Sequence, residues 1–261
     1  MRKHVTTISL FTLMLSGLAA QQPPASGRQG GDRFAGQPRI NALIVSGGCC
    51  HDYSGEAKVL MDAVGRALPV DWTLALQGGR GTRGSMPVYA EADWARRFDI
   101  VVHNECLADV DDPEYIRKIA RAHRNGPPAI VIHCAMHSYR AATIDDWREL
   151  LGVTSRRHTR PFAIPVTIAV KDHAVMKGFK EGWVTPVDEL YVIDKIWPHT
   201  TALATAVSPE DKQTYPLVWV SEYGGTTRVF GTTLGHGNET WADPVFQDLL
   251  IRGFKWAAKR D

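Results

Sequence analysis

Apolar residues along this chain gather in short runs closed by glycine, asparagine or proline. Ile40 to Ser46 (INALIVS) is the first such run; it ends at Gly47 and Gly48 and predicts a buried strand. After Ser54, the residues Leu60, Ala63, Val64, Ala67 and Leu68 recur at helical spacing. Val70 to Leu76 and Asp99 to His103 (DIVVH) predict a second and a third strand. Asp112 followed by Pro113 is a helix start, Ile116, Ile119 and Ala120 give that helix an apolar stripe, and Asn125 with Gly126 ends it. Pro128 to His133 (PAIVIH) predicts a fourth strand, and Thr143 to Leu151 a helix stopped by Gly152. Strands alternating with helices in this way predict a parallel sheet covered on both faces.

The second half is richer in extended segments. Pro165 to Val170, Tyr191 to Ile193, Ala202 to Val207, Leu217 to Glu222 and Arg228 to Leu234 read as strands, and Gly224 with Gly225 turns the last two into a hairpin-like pair. A closing helix starts at Asp243 and Pro244 and carries Phe246, Leu249, Leu250, Phe254 and Ala257 on one face. No repeat or linker interrupts residues 39–261, so this stretch reads as one domain.

The N-terminus differs. Arg2 and Lys3 precede a mostly apolar stretch from Val5 to Leu15 and then small residues, among them Ala19 and Ala20, the layout of a secretory signal peptide over residues 1–20. That stretch is too short for a membrane span, and no cysteine nearby offers a lipid anchor. Residues 21–38 (QQPPASGRQGGDRFAGQP) have little to bury and read as a flexible linker. The expected location is therefore the periplasm or outside the cell, with no membrane anchor after cleavage. At 44% hydrophobic and 22% charged, the composition excludes disorder, collagen and coiled coil. The formal charge of +2 owes its excess to Arg2 and Lys3, and without them 28 basic residues face 28 acidic ones. That balance argues against nucleic-acid or anionic-membrane partners.

Chemistry concentrates at predicted strand ends. The first strand runs into Cys49, Cys50, His51 and Asp52, the third into His103, Asn104, Glu105 and Cys106, and the fourth into His133, Cys134 and His137. Ligands of open parallel sheets bind beyond the carboxyl ends of the strands, so if these three strands are neighbours the groups converge on one edge.

Here the residues resemble a known family. GGCCHDY after the first strand, HCAMH after the fourth, DHAVMKGF at 172–179, DELY at 188–191 and RVFGTTLGHGNETW at 228–241 are, as an ordered set over Arg39 to Arg260, similar to the ThuA-like family named for trehalose utilisation. The resemblance implies a three-layer α/β fold: a doubly wound, mostly parallel sheet of the flavodoxin-like, class I glutamine amidotransferase-like kind, here with extra strands in the C-terminal half. It also implies a role in carbohydrate metabolism. Glutamine hydrolysis is not expected, because the turn at Ile132 to Met136 lacks flanking glycines. His236 and Glu239 are also three residues apart rather than two, and His133 rather than Cys134 falls at the family's nucleophile position.

The expected chemistry is acid/base or metal-assisted work on a sugar, as lyase, hydrolase or isomerase. A partner dehydrogenase acting upstream would supply an oxidised, keto disaccharide or glycoside. A ketone at C3 acidifies the C2 proton, so a base can remove it and the C1 substituent can leave. His51 and His133 are candidates for proton transfer, Glu105 as base or orienter, and His236 as the group holding an enolate oxygen or a metal. A His, His, carboxylate set drawn from these would suit Zn²⁺ or Mn²⁺, although no local metal signature is present. Asp52, His137, Asp188, Glu189, Tyr191, Asn238 and Trp241 are the candidate substrate-binding residues, with Trp241, Tyr139 and Tyr191 offering faces to a sugar ring. The competing reading is a noncatalytic carbohydrate-binding module. His158 and His173 read as structural, and His123 as solvent-exposed. Adjacent Cys49 and Cys50 are not expected to bond each other. Any bridge should join one of them to Cys106 or Cys134, and four free thiols are the alternative.

Overall fold

The computed structural model describes residues 33–261, so the predicted leader and the linker up to residue 32 lie outside the described residues. Residues Gly36–Asp261 form one compact unit. In chain order its elements are β1 (Ile40–Gly48), α1 (Tyr53–Gly65), β2 (Val70–Gln77), β3 (Ile100–Cys106), α2 (Pro113–Ala122) and β4 (Ala129–Ile132). A 3₁₀ turn over His133–His137 leads to α3 (Asp146–Leu151), β5 (Val153–His158), β6 (Phe162–Pro165), β7 (Thr167–Ile168) and β8 (Val184–Asp188). The chain closes with β9 (Tyr191–Ile196), β10 (Thr200–Val207), β11 (Thr214–Tyr223), β12 (Thr227–Thr232), α4 (Asn238–Ala242) and α5 (Pro244–Ala257).

The helix starts follow the sequence signals. Asp52, Asp112 and Asp243 each accept a hydrogen bond from a backbone N–H of the helix that follows, with Pro113 and Pro244 in the first turn where no donor is needed. Gly152, at φ 82°, stops α3 in the left-handed conformation that glycine adopts without strain.

The main sheet has the order β2-β1-β3-β4-β12-β11-β10-β7. The first five strands pair in parallel and the last three antiparallel, so the predicted doubly wound sheet carries its added strands at one edge. Burial on both faces explains the unbroken apolar runs. Ala42 and Ile44 of β1 with Val102 of β3 pack under α1 and α5, against Leu60, Val64, Phe246 and Phe254. Leu43, Val45, Val101 and Val131 face the other way, toward Ile116 and Ile119 of α2 and Trp147 of α3. Burying one such side chain is worth about 1.5–3 kcal/mol against about 1 kcal/mol for a cap, so these two layers hold the sheet together. Among the described residues no helix is long and apolar enough to cross a membrane.

The C-terminal half holds more extended chain than its pattern shows. β5 pairs with β9 and β6 with β8 in two small antiparallel sheets outside the main one. The single strand expected over Pro165 to Val170 is divided between β6 and β7. His123, expected in solvent, is fully buried; its Nδ1–H donates to the Pro127 carbonyl at 2.7 Å and its Nε2 faces His103 Nε2 at 3.0 Å. A helix-end histidine with two internal partners has no need of water.

Candidate active site

β1, β3 and β4 are neighbours, so their carboxyl ends do converge. β12 lies beside β4 and brings its following loop to the same edge. Three histidines meet there.

His133 is the first residue after β4 and takes φ 44°, a left-handed conformation that costs a non-glycine residue about 1–2 kcal/mol. The turn throws its imidazole across to the end of β12, where Nδ1–H donates to the Thr233 carbonyl at 2.7 Å. Gly235, at φ 126°, packs closely beneath: a Cβ there would stand 3.4 Å from the His133 Cβ. His51 follows the Gly47–Gly48 turn of β1, and its Nδ1–H donates to the His236 carbonyl at 3.1 Å. The His51 ring centroid is 4.9 Å from that of His133 and 5.4 Å from that of His236. One ring nitrogen from each of the three lies within 4.8 Å of one from each of the others.

Asp188 holds the third member in place. Fully buried at the end of β8, its carboxylate accepts from the backbone N–H of Gly235 at 3.0 Å and of His236 at 3.3 Å. Burial raises its pKa, and those backbone donors pull it back. It positions the His236 loop and does not reach solvent, so it is not the pocket-lining group expected from DELY.

Glu189 is the carboxylate of the cluster. Its Oε1 lies 3.4 Å from Nδ1 of both His158 and His236, and its Oε2 lies 3.7 Å from His133 Nε2. Desolvation raises its pKa, partly offset by His158 and His236. Tyr191, buried, places its hydroxyl 3.3 Å from His133 Nε2 and stacks on His137 with centroids 4.0 Å apart. His137 is occupied on its far side, with Nε2 3.0 Å from Ser155 Oγ, and burial lowers its pKa to about 3. His158, read as structural from the sequence, stands half-exposed at the rim beside Glu189. No strand is predicted over β5, so nothing in the local pattern points to it.

Glu105 is elsewhere. Along β3, Val101, His103 and Glu105 share the face that packs on α2 and α3, as the two-residue period of a strand requires. There Glu105 Oε1 accepts from Tyr89 O–H at 2.6 Å and lies 3.1 Å from His103 Nδ1, in a network that continues to His123. It belongs to the core beneath the sheet, not to the histidine cluster. Asn104, on the opposite face, donates to Glu56 at 2.7 Å. Burial pushes Glu56 up to about 7.

The remaining candidates divide by exposure. Asp52 caps α1 through the Gly55 N–H. Asn238 is exposed at the start of α4, two residues from His236. Trp241, Tyr139 and Tyr191 are each at most 2% exposed, so none presents a face to a sugar ring. Trp241 instead donates its indole N–H to the Gly235 carbonyl at 2.9 Å and braces the His236 loop. An open cleft of about 640 Å³ reaches His51 from the β2 side, lined by Asp52, Tyr53, Leu76, Gln77 and Arg80 among others.

The cysteines pair Cys49 with Cys50 and Cys106 with Cys134. This corrects the expectation that adjacent Cys49 and Cys50 would not bond each other. The turn after Gly48 sets Cys50 at φ 89°, which brings the neighbouring sulfurs together, while the ends of β3 and β4 hold the other two cysteines 5.2 Å apart at Cα.

Protonation follows from the hydrogen bonds. His51 and His133 spend their Nδ1 protons on carbonyls, so Nε2 is the unprotonated nitrogen of each. Burial, then the neighbouring His236 and His158 working against the His236 carbonyl, holds His51 at about 4; burial and His51 hold His133 well below the usual range. His236 Nδ1 makes no hydrogen bond among the described residues; its near neighbour is Glu189 Oε1 at 3.4 Å. His51 and His133, as neutral imidazoles with their outer nitrogens fixed, are oriented as metal ligands are.

Residues 41–257 match the model of the ThuA family, described as trehalose utilisation. The chain belongs to that family. Membership associates it with trehalose utilisation and carbohydrate metabolism. A ThuA-like protein from Parabacteroides merdae shares the fold at TM-score 0.65 and 21% identity, covering 85% of this chain and 90% of its own. One from Bacteroides uniformis does so at TM-score 0.67 and 15% identity, covering 87% and 94%. A β-galactosidase from Rahnella contains the same fold at TM-score 0.55 and 14% identity, over 86% of this chain but 32% of that one. No curated protein matches the sequence.

Proposed function

We propose that this ThuA family member is an exported sugar-processing enzyme acting on an oxidised, keto disaccharide or glycoside. The observation that carries the reading is the meeting of three imidazoles, His51 and His133 each fixed through Nδ1 by a backbone carbonyl and His236 brought in on its loop, beside the Glu189 carboxylate. Burial disfavours a proton on His51 and on His133, whose unprotonated Nε2 atoms are left to bind a cation instead. A divalent ion such as Zn²⁺ or Mn²⁺ held there would supply Lewis-acid stabilisation to an oxyanion next to the reacting carbon.

The chain's own groups do the rest. Glu189, whose pKa is raised by burial, is suited to take the acidified C2 proton of a 3-keto sugar. Departure of the C1 substituent then cleaves the glycosidic bond without an oxocarbenium ion. His158 at the rim orients Glu189, and the Tyr191 hydroxyl orients His133. Asp52, Gln77 and Arg80 along the cleft offer donors and acceptors to sugar hydroxyls. The leader pattern of residues 1–20 supports export, and an upstream sugar dehydrogenase would provide the ketone.

The test is turnover of a 3-keto-disaccharide by the mature chain, with and without added Zn²⁺ or Mn²⁺, beside His133→Ala. Cleavage by the wild type and at least a 100-fold loss in the variant is expected. Binding without turnover under every metal condition would instead mark a carbohydrate-binding module.

A further inference from the structure

The geometry points to a second chemical site: the four cysteines form a thiol–disulfide exchange relay that takes electrons from an external dithiol at Cys50. This goes beyond the sugar reading and does not rest on it. Cys49 and Cys50 follow β1, Cys106 ends β3 and Cys134 follows β4, so three adjacent strands deliver all four sulfurs to one spot. The two disulfides touch: Cys49 Sγ lies 3.8 Å from Cys106 Sγ, and the Cys49 N–H donates to the Cys106 carbonyl at 3.2 Å, holding that register. Tyr53 packs in the same cluster and donates its hydroxyl to the Cys49 carbonyl at 2.7 Å.

Accessibility is graded inward. Cys50 is exposed and Cys49 half-buried, while Cys106 and Cys134 are 3% and 8% exposed. A bond between adjacent residues closes no loop worth closing, so Cys49–Cys50 adds almost nothing as a staple. Its placement fits exchange instead, which needs only access from outside and a disulfide within reach.

The electrons balance as follows. A thiolate of the external dithiol attacks Cys50 Sγ, the Cys49–Cys50 bond breaks, and Cys49 leaves as thiolate. Cys49 attacks Cys106 Sγ, forming Cys49–Cys106, and Cys134 leaves as thiolate and takes a proton from water. The second thiol of the donor attacks its own sulfur in the mixed disulfide and frees Cys50. The donor is oxidised to a disulfide by two electrons. The protein gains two thiols, at Cys50 and Cys134, and keeps one bond, Cys49–Cys106.

The experiment treats the folded full chain with dithiothreitol to the two-electron point, quenches with acid, alkylates, and maps labels by fragment mass spectrometry. Labels at Cys50 and Cys134 with Cys49–Cys106 bonded are the expected result. Labels at Cys49 and Cys50 with Cys106–Cys134 intact would show two independent disulfides and overturn the relay. So would resistance of both bonds until the chain unfolds, or four thiols before any reductant, whether free or held by a metal. Two variants test the exchange step without a donor. Cys50→Ser should carry label at Cys134 and a Cys49–Cys106 bond, and label confined to Cys49 contradicts this. Cys134→Ser should label Cys50, and label confined to Cys106 contradicts this.

Discussion

The Oε2 oxygen of Glu189 stands 3.7 Å from Nε2 of His133, although the two residues are brought together by different sheets. His133 ends a central parallel strand. Glu189 follows β8, which lies in a two-stranded sheet of its own. This contact, rather than one to Glu105, gives the histidine cluster its carboxylate.

Exchanging the two glutamates by turns should separate their roles. Glu189→Gln keeps the shape and removes the base, so kcat should fall by about 10²–10⁴-fold with the melting temperature little changed. Glu105→Ala takes away the acceptor of the buried Tyr89 hydroxyl and one of the neighbours of His103, so stability should drop by about 1–3 kcal/mol while the kcat of the folded fraction stays within a few-fold. Chemical denaturation beside steady-state kinetics checks both. The reverse pattern would return the base to Glu105.

The left-handed turn at His133 makes an unusual stability prediction. His133→Gly and His133→Ala both delete the imidazole, yet only glycine relieves a φ of 44°. The glycine variant should be more stable than the alanine variant by about 1 kcal/mol in urea titrations, with both inactive. Alanine equal to or better than glycine would mean that the turn relaxes when the side chain is gone.

How much of this was legible beforehand depends on the kind of residue. His51, His133 and His236 could be placed because each follows a strand of the parallel sheet, and such strand ends share one edge. Glu105 could not, because a strand buried on both faces is apolar throughout, and its hydrophobic pattern does not say which face a polar residue takes. Counting in twos from Val101 was the one available signal. Glu189 enters only through DELY, as a substrate-binding residue, and His158 reads as structural. They reach the cluster through β5, β8 and β9, whose pairings lie outside the main sheet and carry no local spacing to read. The Cys49–Cys50 bond was missed because its formation depends on a backbone turn, not on sequence separation.

Acid should unfold the chain through histidines that the fold keeps neutral. Burial holds His123 and His137 at about 3 in the folded state, against 6.5 for the free side chain. Between those values the unfolded chain binds protons that the folded one refuses. Stability is therefore full above pH 6.5, falls as pH drops below it, and levels off near pH 3 as far as these two groups are concerned. By pH 5 each costs about 2 kcal/mol. His123→Gln, which can still donate to Pro127, should flatten the loss by that amount when urea midpoints are compared at pH 7 and pH 5. An unchanged slope would show that His123 protonates without unfolding.

Metal titration of the full chain tests the central claim most directly. After chelation and dialysis, with the cysteines kept oxidised, the protein should take up one equivalent of Zn²⁺ or Mn²⁺ by calorimetry. Substitution by Co²⁺ should give the visible absorption of a nitrogen-rich site without sulfur charge-transfer bands. His51→Ala, His133→Ala and His236→Ala should each weaken uptake by at least about 100-fold, because each removes one of three protein ligands. No uptake by the wild type, or uptake that survives all three substitutions, would contradict the account.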